Sequence, residues 1–106
     1  MNRIDLLKSM LAEDASDPFL HYALGLELAK TDDAAAAEQF AALSHSHPEY
    51  LATYYQWGQC LEAIGQLQDA LEAYQKGLPL AQSQGERKTA AELQEAMWGV
   101  EDALED

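Results

Sequence analysis

Three histidines, one cysteine and nineteen carboxylates are the residues of this chain with chemistry to offer. His45 and His47 flank Ser46 in the stretch SHSHPEY, and His21 lies in an earlier segment. Residues two apart on a helix point in different directions, so His45 and His47 converge on a metal only if the chain has already left the helix there. A turn rich in capping residues accounts for the stretch without one. Cys60 has no second cysteine, which forbids an internal disulfide and leaves no thiolate pair for a metal. It reads as a small buried apolar side chain. Asp32 with Asp33 reads as a helix-start capping group, and Glu101, Asp102, Glu105 and Asp106 as a solvated terminal run. Carboxylate pairs do acid–base work only where burial or a shared site drives their pKa values apart. The chain has no glycine-rich phosphate loop, no G-x-S-x-G elbow and no H-E-x-x-H. The expectation is a protein that is not an enzyme and takes no cofactor or metal, which leaves its surface as the place where function lies.

That surface is strongly acidic: 19 Asp and Glu stand against 6 Lys and Arg, a net charge of −13. Between Thr31 and Gln75 there is no lysine or arginine, while Asp32, Asp33, Glu38, Glu49, Glu62, Asp69 and Glu72 fall in that window. Such a charge repels phosphate backbones and anionic lipid, so nucleic-acid and membrane-surface roles are excluded, and it suits a basic partner. Solubility, or a salty habitat that screens the self-repulsion, explains the same charge equally well. No apolar run is long enough to span a membrane, and the charged start, Met-Asn-Arg-Ile-Asp-Leu-Leu-Lys, is unlike a signal peptide. A cytoplasmic location is expected.

The elements that must present this surface are helices. The chain has 106 residues, 48% of them apolar, and a single domain of that size buries roughly 60 to 70% of its unfolded surface. Apolar residues recur at spacings of three and four, and period-2 alternation is hard to find. The first helix is expected over residues 2–13, with Ile4, Leu7 and Leu11 on one stripe and Leu6 and Met10 beside it. Asp17 before Pro18 marks the next start, because aspartate caps free amides and proline at the first helical position loses no hydrogen bond. That helix should reach Lys30. Asp32 or Asp33 then caps a third, which carries Ala36, Phe40 and Leu43. Pro48 starts a fourth, with Ser46 and Glu49 spaced as a capping box and Gly65 as its C-terminal cap. A fifth, from about Leu67 to Ser83, should be kinked or interrupted by Pro79 and end at Gly85. The sixth places Ala90, Leu93, Met97, Val100 and Leu104 on one stripe, with Trp98 about 100° away and so partly exposed.

The helices repeat. Gly25 and Gly58 are 33 residues apart, Ala36 and Ala70 are 34 apart, and Phe40 and Tyr74 are also 34 apart. Gly58 in YYQWGQCLEAIGQLQDALEAY should cost its helix about 1 kcal/mol relative to alanine, so a missing side chain there implies close approach. The expectation is that the two helices of each unit cross at the glycine, backbone to backbone, with Ala70 keeping the facing surface low and Trp57 and Tyr74 on either side.

On these residues the chain resembles the tetratricopeptide repeat family, whose unit is a pair of antiparallel helices with the pattern W-x2-L-G-x2-Y, then A-x3-F, then P. The second unit shows Tyr54, Trp57, Gly58, Leu61, Ala70 and Tyr74; the first shows His21, Leu24, Gly25, Leu28, Ala36, Phe40 and Pro48. His21 and Leu28 replace aromatics, and Gln82 stands at the second closing proline, with Pro79 three residues early. The resemblance covers about residues 18–84. It implies an all-α, right-handed array of antiparallel helical hairpins in a single domain: a flanking helix in residues 1–16, repeats at 17–48 and 49–84, and a capping helix at 85–106.

The resemblance further implies a concave groove lined by the first helix of each unit, and a protein or peptide partner, basic or apolar, lying in it. With Leu24, Gly25 and Leu28 packed inward, Phe19, Tyr22 and Leu26 turn toward that groove; with Trp57, Gly58 and Leu61 inward, Tyr55, Gln59 and Glu62 do the same. Lys30 is the single cation on this face, too little for the carboxylate clamp some family members use. Tyr22 and Tyr55 would be the anchors and Glu62 a partner for a cation. The same aromatics could instead pack against the flanking helices. The alternative function is self-association, a homodimer through Trp98, the first helix and the aromatic patch.

Overall fold

The computed structural model describes residues 2–105 as six helices. They are α1 (Arg3–Glu13), α2 (Pro18–Ala29), α3 (Asp33–Ser46), α4 (Ala52–Ala63), α5 (Leu67–Ser83) and α6 (Arg87–Glu105). The first three starts have a local cause. Asn2 Oδ1 accepts from the amide of Asp5 at 2.8 Å, Asp17 from Phe19 at 2.9 Å with Pro18 at the first position of α2, and Asp32 from Ala35 at 3.0 Å. These side chains satisfy amides that the first turn leaves free. The stops of α4 and α5 are built alike. Gly65 at φ 80° and Gly85 at φ 72° take the left-handed conformation, and the following amides, of Gln66 and Glu86, return to the carbonyls of Leu61 and Ala81 at 2.9 Å each.

The expected start of α4 at Pro48 is corrected. Ser46 is the last residue of α3, and its hydroxyl donates back to the carbonyls of Ala42 and Leu43, so no capping box forms with Glu49. Residues 48–51 make turns instead, and α4 begins at Ala52 without a side-chain cap. Tyr54 pins this turn from inside the helix, donating its hydroxyl to the Pro48 carbonyl at 2.6 Å. Pro79 also fails to interrupt α5, which is helical on both sides of it. Proline deprives the Gln75 carbonyl of a partner, but both residues lie on the exposed side, where water can take its place.

Helices α2, α4 and α6 form one tier, α2 touching α4 and α4 touching α6; α1, α3 and α5 form the other and do not reach one another. The result is a right-handed array of antiparallel hairpins, 44 × 30 × 20 Å in extent. Its radius of gyration of 14.0 Å exceeds the roughly 13 Å of a compact domain of this length, as stacking in one direction requires. The main core joins Phe40, Tyr54, Leu61, Ala70, Tyr74, Leu93 and Val100, while Leu7, Leu20, Ala23 and Leu24 make a smaller one under α1. Leu104, on the same stripe as buried Val100, is exposed rather than packed.

The repeated glycines are close-approach sites, but what approaches is an aromatic ring. A Cβ on Gly25 would lie 2.6 Å from Cζ of Phe40, and one on Gly58 would lie 2.6 Å from Cδ1 of Tyr74, with another ring atom nearer still in each case. Both rings are fully buried. The expected backbone-to-backbone crossing is therefore replaced by a ring seated on a bare helix surface, which explains why glycine and aromatic recur together. Gly77 of α5 is also a close-approach site, but there the stem of a side chain arrives rather than a ring: a Cβ would come within 2.7 Å of Cβ of Tyr54 on α4.

Candidate functional site

The candidate groove residues fall on the tier of α2, α4 and α6, in two separate depressions. Phe19, Tyr22, Leu26 and Lys30 share the first with Arg3 of α1 and Glu27. Phe19 is 59% exposed and Leu26 36%, whereas Tyr22 is half-buried, its ring centroid 5.9 Å from that of Phe40 and 5.7 Å from that of Tyr50. Burial first, and then the neighbouring Tyr50, raise the Tyr22 hydroxyl above its ordinary pKa. Tyr22 thus gives one face to the core and one edge to the depression.

Lys30 is not a free cation. Its Nζ lies 2.7 Å from Glu27 Oε2, and Arg3 Nε holds the other carboxylate oxygen of Glu27. Glu27 is a nearly buried charge at the seam of α1 and α2, which tolerates burial because both oxygens are paired. The hydrogen bond from Lys30 is the largest cause holding its carboxyl below the usual range. Sequence reasoning passed over Glu27 and Arg3. The signal was a charged residue two places beyond the glycine, on a face where α4 carries Cys60.

Tyr55, Gln59 and Glu62 line the second depression together with Glu92, Glu95, Ala96 and Gly99 of α6. Here Gln59 Nε2 donates to the Tyr74 hydroxyl at 2.7 Å, and that hydroxyl donates to Glu62 Oε2 at 2.5 Å. The network places Gln59 and Glu62 at fixed positions above a buried ring. Burial, followed by the bond to Glu62, pushes the Tyr74 hydroxyl far above the ordinary tyrosine range. Glu92 and Glu95, three apart on the capping helix, went unremarked in the sequence, although their spacing puts both on one face. With Glu62 they give this end of the tier three carboxylates that are in no ion pair among the described residues.

Of the remaining chemistry-bearing side chains, His21, His47 and Cys60 are held within the structure and His45 points to solvent. His21 Nε2 lies 2.6 Å from the Ala15 carbonyl and its Nδ1 3.1 Å from Gln39 Nε2, contacts that tie α3 to the α1–α2 turn. His45 is exposed on α3 and His47 caps its end, 3.4 Å from Glu49. Among the described residues no three His, Cys, Asp or Glu side chains converge as a metal site. Cys60 is buried, and desolvation followed by the neighbouring Asp33 pushes its thiol up to about 11, which makes it a poor nucleophile. Trp98 is 59% exposed.

Stacked antiparallel hairpins with an aromatic seated on a glycine in each define a helical-repeat class, and comparison with known proteins places the chain within it. No family model matches. A curated relative, a TPR repeat-containing protein of Pseudomonas aeruginosa, is 30% identical over 91 residues, covering 85% of this chain and 87% of that protein. The crystal structure of a tetratricopeptide repeat domain protein from Salinibacter ruber superposes with a TM-score of 0.76 at 35% identity, over 80% of this chain and 97% of that one. The solution structure of a Bordetella parapertussis protein gives 0.82 at 30% identity, over 99% and 94%. The chain belongs to the tetratricopeptide repeat family, whose fold serves protein–protein interaction in general and is usually not catalytic.

Proposed function

We propose that the tier of α2, α4 and α6 is a non-catalytic receptor for a peptide or protein segment that is apolar at one end and basic at the other. The observation that carries this reading is the pairing of exposed Phe19 and Leu26 at one depression with the unpaired carboxylates of Glu62, Glu92 and Glu95 at the other. An apolar side chain gains by covering Phe19, while a cation gains near three carboxylates. Tyr22 and Tyr55 are the anchors, and Gln59 with Glu62 offers fixed polar contacts. Lys30 serves the groove only through Glu27. A cytoplasmic location is part of the same reading, in keeping with the finding that no helix among the described residues is long and apolar enough to cross a membrane.

Immobilised protein is the bait in a pull-down from a cell extract, with bound proteins identified by mass spectrometry. Phe19→Ala with Leu26→Ala should lose the captured partner while keeping the helical circular dichroism of the parent, and Tyr55→Ala should weaken capture. Tyr22→Ala is a poorer probe because it also strips packing from Phe40. Capture unchanged in the double variant would remove the groove assignment. The exposure of Trp98, Leu6 and Met10 at the two ends favours self-association as the second reading. Light scattering over a range of concentrations separates the two: a dimer dissolved by Trp98→Ala supports the second, a monomer throughout supports the first.

A further inference from the structure

The opposite face carries a second hollow that the groove reading does not use. Helices α3 and α5 each pack on α4 but not on each other, so an open valley runs between them with α4 as its floor. Trp57 and Leu61 form that floor, and the sides facing it are small: Ala37 and Ala41 from α3, Ala73 from α5. The hollow measures about 420 Å3. Lys76 divides it from a continuation between His45 of α3 and Leu80 of α5. Together the two flank α3 from Ala34 to His45, about 17 Å or three helical turns at the usual rise.

Charge decides what fits. Glu38 on one rim and Asp69 and Glu72 on the other line the valley, all exposed and in no ion pair among the described residues. The one cation present, Lys76, already shows how the floor receives a positive group: its Nζ lies 5.4 Å from the centroid of the Trp57 ring. We propose that this valley docks a basic amphipathic helix of a partner protein, whose apolar side chains enter over Trp57 between the alanine walls and whose lysines or arginines meet Glu38, Asp69 and Glu72. A helix suits the space because α3 and α5 both pack on α4 without touching one another, which leaves the hollow open along the length of α4 between them. Alanines facing inward let larger side chains of the incoming helix take the room.

The probe is a synthetic 16-residue helix with leucines on one face and arginines flanking them, compared with a peptide carrying glutamates in place of the arginines. In a Trp98→Phe background, tryptophan emission reports Trp57 alone. The arginine peptide should shift that emission saturably, with affinity falling as salt rises, and the glutamate peptide should not. Glu38→Lys with Glu72→Lys, both at exposed positions, should weaken binding by about tenfold or more, while Phe19→Ala with Leu26→Ala leaves it unchanged. Equal responses to the two peptides, no response to either, or a response abolished by Phe19→Ala with Leu26→Ala and untouched by the charge reversal would each overturn the proposal. The groove on the other face can fail its own test without affecting this one.

Discussion

In the first hairpin Gly25 of α2 receives the ring of Phe40; in the second, Gly58 of α4 receives the ring of Tyr74. The two rings are equally buried and sit on helix surfaces stripped of side chain in the same way. What differs is one oxygen. Phe40 ends in the core, whereas the Tyr74 hydroxyl emerges far enough to accept from Gln59 and donate to Glu62, both of which line a depression. The packing device is thus common to both units, and the polar tether belongs to the second alone. A ring on a glycine supplies stability; a hydroxyl at its tip converts the same ring into a support for surface residues.

The strongest way to break the comparison is to fill the glycines. Gly58→Val should destabilise by at least about 2 kcal/mol, because the Tyr74 ring is buried and cannot yield cheaply. Gly58→Ala is more informative because its sign depends on the ring. With Tyr74 present it forces overlap; with Tyr74→Leu in the background it should gain toward the roughly 1 kcal/mol that alanine holds over glycine in a helix. Urea unfolding of the four proteins of this cycle measures the coupling. Gly25→Ala against Phe40→Leu should behave alike, and additive values in either cycle would mean that the ring is not what glycine accommodates.

Removing only the oxygen comes next in size. Tyr74→Phe makes the second hairpin resemble the first and should cost about 1 kcal/mol, since water can replace the lost partner of Glu62 and Gln59 at the surface. The pH dependence sharpens this. Folding raises the Tyr74 pKa above its ordinary value of 10.0, so its contribution is fully present below pH 10 and is lost as pH climbs beyond it. Thermal melts between pH 9 and 11.5 should show the parent losing stability faster than Tyr74→Phe. Tyr22, Tyr50 and Tyr54 are raised too and remain in both proteins, so the difference in slope isolates Tyr74.

The six helices and their repeat were legible because the apolar spacing, Asp17-Pro18, Asp32 and the glycines at 65 and 85 act locally, within a turn or two of where they stand. The seat of the ring was half legible. Glycine recurring with an aromatic announces close approach, but a string of letters does not say whether backbone or ring arrives, because that depends on how far apart the helices settle. Ser46 misled because its hydroxyl can cap the next helix or bond back to its own, and Tyr54, eight residues later, decides by holding the Pro48 carbonyl. The candidate site was least legible. Phe19 and Leu26 were placed outward by elimination, but Arg3 reaches Glu27, and Glu62 meets Tyr74, through contacts made between helices rather than along them, whereas the pairing of Lys30 with Glu27 runs along α2 at a spacing of three that was open to reading.

The smallest effects test how independent the two hairpins are at the position two residues beyond each glycine. There α2 carries Glu27, clasped by Arg3 and Lys30, and α4 carries Cys60, buried near Asp33. Folding lowers the Glu27 pKa from its ordinary 4.5, so its stabilisation is present above that value and disappears as pH falls below it. Glu27→Gln should melt slightly below the parent at pH 7, and the deficit should shrink as pH falls below 4.5, kept small throughout by two solvent-exposed cations. At pH 8 a thiol raised to about 11 is almost entirely protonated, so a disulfide reagent should label Cys60 at least about a hundredfold more slowly in the folded chain than in denaturant. If Glu27→Gln loosens only the α1 edge, that labelling rate stays unchanged, whereas Gly58→Ala, acting two residues away on α4, accelerates it. Acceleration by Glu27→Gln instead would mean that the hairpins open together, as one cooperative unit rather than as neighbours in a stack.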